Sequence, residues 1–208
     1  MEMFGDVHNN PLGLDIVRFG DICEILNGYA FKSKFYVDEG IRVIRITNVQ
    51  KGYIEDADPQ FYPMSYEDEL SRYILQAGDI LLSLTGNVGR AGLLPESMLP
   101  AALNQRIACI RMKPKSPVSK MFLYSIVNSD FFEADCITSS QGIAQKNMST
   151  EWLKEYPVIV PPKTMQEEYV TVVQQSDKSK FAVLKCADQN NAFRRLKSIK
   201  TRRDNTNE

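Results

Sequence analysis

Apolar and polar positions alternate in short blocks over the first 162 residues of this 208-residue chain, and then give way to a helical spacing. The densest block is Ile80 to Leu84, an apolar run broken only by Ser83 and suited to a buried strand. It breaks into a turn that carries Gly86, Gly89 and Gly92. Glycine permits positive φ and close approach of a partner to the backbone. Ile41 to Ile46, rich in β-branched residues, predicts a second strand running into the polar turn Thr47–Gly52. Side chains alternate along a strand, so Arg42 and Arg45 are expected on opposite faces. Leu103–Met112 predicts a further strand, with Asn104, Gln105 and Arg106 at its entry and Pro114 and Pro117 ending it. Ile16–Phe19 and Ile22–Leu26 read as short strands about a Gly20-Asp21 turn. Tyr156–Pro162 reads as extended, because a proline disfavours helix at the residue before it.

Helix signals are found in three places before the C-terminal region. Apolar residues at 121, 122, 126, 127, 131 and 132 predict one amphipathic helix over Met121–Phe132. Ser149-Thr-Glu-Trp152 predicts a helix start, with a hydroxyl cap and an early glutamate. Glu67-Asp-Glu69 opens or follows a short helix. Beyond Met165 there is neither Gly nor Pro. Tyr169, Val172, Ser176, Ser179, Val183, Cys186, Asn190 and Phe193 follow a 3–4 spacing, a coiled-coil-like seam with polar residues at several positions. Roughly 34 residues at about 1.5 Å each make a rod of about 50 Å. A rod of that length asks for a partner helix; the alternative is that it folds back on its own domain. The organisation expected is a globular α+β domain, mixed in its use of helix and strand, over residues 1–163 with an irregular lead-in at 1–15. A long helix at 164–200 and a polar tail at 201–208 follow.

Composition narrows the function classes. Hydrophobic content of 43% and charged content of 25% are ordinary for a globular chain. No apolar run approaches the roughly 18–20 residues that span a bilayer, and the opening residues lack a signal-peptide pattern, so a cytoplasmic location is expected. The four cysteines, at 23, 109, 136 and 186, have no Cys-x-x-Cys spacing and read as reduced, mostly buried thiols. With His8 as the single histidine, a His-dependent triad or a zinc site has little to build from. Net charge is −1, but residues 178–208 hold nine Lys/Arg against three Asp/Glu, which leaves 16 basic and 23 acidic residues in 1–177. The globular part is net acidic, so any nucleic-acid face must be a local patch.

Candidate chemistry lies in the polar turns. Thr85, Asn87 and Arg90 are held out by the central glycine turn, and Asn and Arg are the side chains that pair with adenine and guanine edges. The same stretch also reads as an ordinary hairpin. It matches neither the phosphate-binding loop, for want of Gly-Lys-Ser/Thr, nor the dinucleotide fingerprint, since its glycine spacing is G-x-x-G-x-x-G. After the Asn27-Gly28 turn, Tyr29 and Phe31 interleave with Lys32 and Lys34, a pattern that suits stacking on a nucleic acid or, equally, a loop pinned by Phe31 in the core. Glu55, Asp56 and Asp58 form an acidic loop expected to be solvated and to repel phosphate. Ser139–Asn147 is a polar loop around Gly142.

Together these stretches resemble the specificity (S) subunit of type I restriction–modification systems. The resemblance runs, in order, through Phe19–Ser33, Val43–Gly52, Gly78–Gly89, Ala102–Gln105, Gln141–Ser149 and Val160–Gln166 leading into the long helix. One departure is Met165 before Gln166, where the family usually carries Glu-Gln. The resemblance implies a target recognition domain with a twisted mixed sheet, which reads one half of a split DNA site, followed by a long helix that acts as a spacer and docks modification subunits. It also implies a subunit with no chemistry of its own and no cofactor. S-adenosylmethionine, Mg and ATP belong to the modification and restriction subunits, and no Asn-Pro-Pro-Tyr or Asp-Pro-Pro-Tyr tetrapeptide occurs here. The chain carries one copy of a unit that the family fuses in pairs. It therefore reads as a half-subunit, either a natural half that homodimerises or one copy from a split or recombined gene.

The contacts expected with double-stranded DNA are Lys32, Lys34, Arg45, Thr47, Asn48, Thr85, Asn87, Arg90, Asn104, Gln105, Arg106, Gln141, Gln145, Lys146 and Asn147. Lysines would neutralise phosphate; Asn, Gln and Arg would read base edges. The helix residues Tyr169, Val172, Ser176, Val183, Cys186, Asn190 and Phe193 would form the pairing seam. The rival class is a coiled-coil adaptor that binds modification subunits without reading DNA, which the acidic balance favours. An enzyme has the least support.

Overall fold

The computed structural model describes residues 10–140 and 148–176. The chain divides into two compact units, Met1–Gln166 and Glu167–Glu208. In chain order the first unit runs β1 (Asp15–Arg18), α1 (Phe19–Ile22), β2 (Cys23–Asn27), β3 (Ile41–Ile44), β4 (Val49–Gln50), β5 (Tyr53–Ile54) and β6 (Phe61–Tyr62). It continues with α2 (Glu67–Leu70), β7 (Ile80–Ser83), β8 (Ala91–Leu93), β9 (Ala101–Leu103), β10 (Ile107–Met112), α3 (Lys120–Val127), α4 (Asp130–Ser139), α5 (Thr150–Glu155) and β11 (Pro157–Val160). Residues 163–176 are helical, and those from 167 onward belong to the second unit. The fold is α+β. No helix among the described residues is long and apolar enough to cross a membrane.

The strands make several small sheets rather than one. Antiparallel β2-β10-β7-β8 is the largest; β6-β3-β9 is mixed, because β3 runs parallel to β9 and antiparallel to β6. Two-stranded pairs, β1-β11 and β4-β5, complete the set. Ile80, Leu81 and Leu82 of β7 are fully buried, as expected of that apolar run. One core cluster sits between the sheets, with Ile44, Leu81, Leu103, Ile107 and Cys109 among its members. A second, aromatic cluster gathers Tyr62 and Leu70 with Tyr29, Phe31, Tyr36, Tyr66 and Tyr73. The start of β7 is tied to β10 by Asp79, only 5% exposed, whose carboxylate takes two bonds from the Arg111 guanidinium (3.0 and 2.7 Å).

Several expectations are corrected. The Gly20-Asp21 turn between the two short strands is the single helical turn α1, and β1 and β2 pair with β11 and β10, far apart in sequence. The helix expected over Met121–Phe132 is two helices. Asn128-Ser129 breaks it, because the Ser129 hydroxyl caps α4 by accepting the Phe132 N–H (3.2 Å), and α4 runs on to Ser139. Ser149 caps α5 as its sequence predicts, accepting the Trp152 N–H (3.0 Å). The strand at 41–46 stops at Ile44, and a 3-10 turn over Ile46–Asn48 follows. The alternation expected of Arg42 and Arg45 is therefore broken, and both reach the same acidic loop: Arg42 pairs with Asp56 and Arg45 with Asp58. That loop is accordingly not simply solvated. Gln166 is buried at 1% exposure. Its amide accepts the Ser119 N–H (2.8 Å) and donates to the carbonyls of Pro117 (2.9 Å) and Pro161 (2.8 Å), which ties the end of the first unit to the segments around Pro117 and Pro161.

Candidate nucleic-acid interface

Strand register brings the polar turns to one edge. Ile44 and Leu103 are partners at the ends of the parallel pair β3 and β9, so the turns at 45–48 and 104–106 leave the sheet side by side. Ile107, the first residue of β10, pairs with Ser83, the last of β7, which sets the turn at 84–90 next to 104–106. Ala108 pairs with Asn27, the last residue of β2, so the 28–34 segment emerges there as well. Backbone bonds join the turns directly: Asn104 N–H to the Ile44 carbonyl (3.3 Å), Gln105 N–H to Tyr29 (3.0 Å), Leu84 N–H to Arg106 (3.0 Å) and Met148 N–H to Leu84 (2.8 Å).

The central stretch is a hairpin, β7-β8, with Leu81 opposite Gly92 and Leu82 opposite Ala91. Its turn is shaped by Gly86 (φ +67°) and Gly89 (φ +86°). Gly89 has a second reason to be glycine: a Cβ there would sit 3.1 Å from Cys136 Cβ and 3.3 Å from Glu133 Cα, so α4 packs directly on the turn. Ser83 locks the hairpin, accepting the Arg90 N–H at its hydroxyl (3.1 Å) and donating to the Asn87 carbonyl. Asn87 is thereby left exposed at the tip, with Thr85 half-buried beside it.

The expected contact residues divide by what their side chains already do. Asn48 is 6% exposed. Its Oδ1 accepts the Arg45 backbone N–H (2.9 Å), and its Nδ2 donates to the carbonyls of Glu55 (2.9 Å) and Ala57 (3.3 Å). Asn48 is thus engaged in shaping the turn. The Arg45 guanidinium donates to the Asp58 carboxylate (2.9 Å) and carbonyl (2.6 Å). Asn104 caps its own turn through the Arg106 N–H (3.1 Å). Thr47, Asn87, Gln105 and Arg106 are exposed.

Arg90 is held differently from Arg42 and Arg45. Its Nη1 donates to the neutral Gln50 Oε1 (2.9 Å), while Gln50 Nε2 donates to the Thr47 carbonyl (3.0 Å) and the Glu55 carboxylate (3.3 Å). Gln50 and Glu55 were not among the expected site residues. The signal was present, since Gln50 lies within the Thr47–Gly52 turn, but its side-chain reach to residue 90 depends on tertiary contact.

Lys32 and Lys34 are exposed on the 3-10 turn Ser33–Phe35, which rests on the aromatic cluster, and Lys34 Nζ lies 4.8 Å from the Phe35 ring centroid. The two interleaved aromatics are taken up internally. Phe31 packs edge-to-face on Tyr62 (4.9 Å between centroids) and Tyr29 on Tyr73 (5.4 Å), as the pinned-loop alternative holds. The Tyr29 hydroxyl donates to Glu69 (2.5 Å), and this bond pushes its pKa up to about 12. Gln141, Gln145, Lys146 and Asn147 lie outside the described residues, as do Ser179, Val183, Cys186, Asn190 and Phe193 of the seam. Of the rest of the seam, Tyr169 is 8% exposed, Val172 is 53% exposed and Ser176 is exposed. Cys23, Cys109 and Cys136 are free and buried, and no group of acidic, Cys or His residues among those described could hold a metal.

Comparison with known proteins gives a consistent answer. Residues 11–191 match the family described as the type I restriction modification DNA specificity domain. The type I restriction enzyme EcoAI specificity subunit of Escherichia coli is 29% identical over 187 residues, covering 86% of this chain and 31% of that protein. The MjaVIII specificity subunit of Methanocaldococcus jannaschii is 26% identical over 155 residues, 73% of this chain and 36% of that one. The chain thus spans about a third of the length of these curated relatives. Among solved structures, a chain from the work on complex assembly and conformational transition of the type I R-M system superposes with a TM-score of 0.73 at 18% identity, over 94% of this chain and 46% of that one. The HsdS subunit from Thermoanaerobacter tengcongensis gives 0.62 at 19% identity, over 84% and 40%. These two likenesses concern the fold, while the family match covers most of the sequence: the chain belongs to the type I restriction–modification DNA specificity domain family.

Proposed function

We propose that this chain reads one half of a bipartite DNA site for a type I restriction–modification complex and performs no chemistry of its own. The observation that carries this reading is the convergence of the 45–50, 84–90 and 104–106 turns on one edge, set by the strand register above. Exposed Asn87, Gln105 and Arg106 and the half-buried Arg90 supply base-reading groups there, and Lys32 and Lys34 supply phosphate neutralisation. The helix from residue 163 would carry the spacing between two half-sites and pair with a second S half, most simply a second copy, while docking modification subunits in a cytoplasmic complex. S-adenosylmethionine, Mg and ATP are assigned to the partner subunits and no cofactor to this chain.

The adaptor reading retains one specific support. Residues 1–177 carry 16 basic against 23 acidic residues, and Arg42 and Arg45 are already neutralised by aspartates. Selection from random duplexes, with the chain and the modification subunits from the same source, separates the readings. Two inverted identical half-sites are expected for a homodimer. Two different halves would indicate a mixed pair, and no enrichment would favour the adaptor.

A further inference from the structure

Gln50 is not one of the expected DNA contacts, yet it decides how Arg90 is presented. Its amide has two distinguishable ends. Nε2 faces two acceptors, the Thr47 carbonyl at 3.0 Å and the Glu55 carboxylate at 3.3 Å, which leaves Oε1 for Arg90 at 2.9 Å. The opposite orientation would aim two acceptors at Oε1 and two donors at each other, so the amide is locked. The Arg90 backbone is fixed as well, with its N–H on Ser83 Oγ (3.1 Å) and its carbonyl accepting the Ser83 N–H (2.9 Å). Arg42 and Arg45 spend their charge on carboxylates, whereas the side-chain partner of Arg90 is a neutral amide. Arg90 is therefore oriented without being neutralised, which is the condition for a guanidinium that makes a bidentate contact with a guanine.

We infer that Gln50 is a positioning residue for target recognition, with Glu55 setting its amide, so that Arg90 meets a guanine edge in one fixed orientation. The inference rests on the DNA-reading function proposed above. It assigns a sequence-determining role to Gln50 at the end of β4 and Glu55 just after β5, outside the hairpin that bears the reading group.

The test uses the full chain with its modification subunits, selection from random duplexes, and duplexes of the site so obtained. Arg90→Ala should relax the preference at one position of the half-site by about ten-fold or more. Gln50→Leu should relax the same position, and the double variant should go no further than Arg90→Ala alone, because the two act as one unit. The slope of affinity with salt should be unchanged in Gln50→Leu, since no phosphate contact is removed. Glu55→Ala is the discriminating variant. Removing an exposed carboxylate near the DNA raises affinity for every duplex, while loss of one of the two acceptors that orient the amide lowers preference at the Arg90 position. A merely electrostatic role moves the first quantity and not the second. If Arg90→Ala relaxes a position that Gln50→Leu and Glu55→Ala leave intact, the inference is overturned. It is overturned also if Arg90→Ala changes no position, although enrichment by the unmodified chain would then keep the general function. If the unmodified chain enriches nothing, the function itself fails and the inference with it. Should Gln50→Leu lose its thermal transition, Glu55→Ala, at an exposed residue, decides alone.

Discussion

Replacing Asn48 by alanine separates a residue that builds the interface from one that reads DNA. The side chain is 6% exposed and makes three bonds: from the Arg45 N–H at 2.9 Å, to the Glu55 carbonyl at 2.9 Å and to the Ala57 carbonyl at 3.3 Å. Each of the two shorter bonds contributes about 1 kcal/mol net, and backbone groups left unpaired in a part-buried turn add about 1 kcal/mol or more. The third bond is long and adds little. The expected cost is about 2–4 kcal/mol, a large share of the stability of a single domain. Urea denaturation followed by tryptophan fluorescence from Trp152 measures it, with the midpoint falling at constant slope. Gln105→Ala is the matched control. Gln105 is exposed on the neighbouring turn, so its replacement should stay within about 0.5 kcal/mol. A loss of under about 0.5 kcal/mol for Asn48→Ala would refute the structural assignment, and a lost preference at a single base with unchanged stability would restore Asn48 as a reading residue.

Two further outcomes follow from the packing. Gly28 does not have a positive φ; it is glycine because a Cβ would lie 2.2 Å from the Asn104 carbonyl carbon and 2.5 Å from the Leu103 oxygen, so Gly28→Ala must part the 28–34 and 104–106 turns. DNA selection and the thermal midpoint should both fall, while Gly52→Ala, whose Cβ would meet nothing within 4 Å, should leave selection unchanged and cost only the strain of its φ of +88°. The buried thiols set a pH dependence. Burial pushes Cys23 up to about 12 from 9.0 and raises Cys109 and Cys136 likewise. The folded chain then holds protons that the unfolded chain releases above about pH 9, so the contribution of these thiols is fully present below pH 9 and falls as pH rises toward their folded values. In the native protein at pH 8 these three cysteines should resist a thiol reagent and react once urea is added; rapid native reaction would contradict their burial.

The sequence determined by itself whatever depends on near neighbours. Four apolar residues among five at Ile80–Leu84, interrupted only by Ser83, make a buried strand wherever it packs. A serine before Thr150-Glu-Trp152 caps a helix, because the cap acceptor and its N–H lie three residues apart. Prolines at 157, 161 and 162 keep their segment extended. Elsewhere near neighbours did not suffice. The 121–132 spacing predicted one continuous helix, but Ser129 caps a second helix and that helix lies against Gly89. The family motifs placed the loops; they did not say which side chains were spoken for. Asn48, Arg42 and Arg45 are committed inside the fold by partners 3 to 14 residues away, and Arg90 is oriented by one 40 residues away. The interface edge itself exists only in three dimensions. It is made by the register of β2, β7 and β10 and of β3 with β9, and register is set by which apolar faces can share one core, a condition on the whole chain that no window of sequence contains.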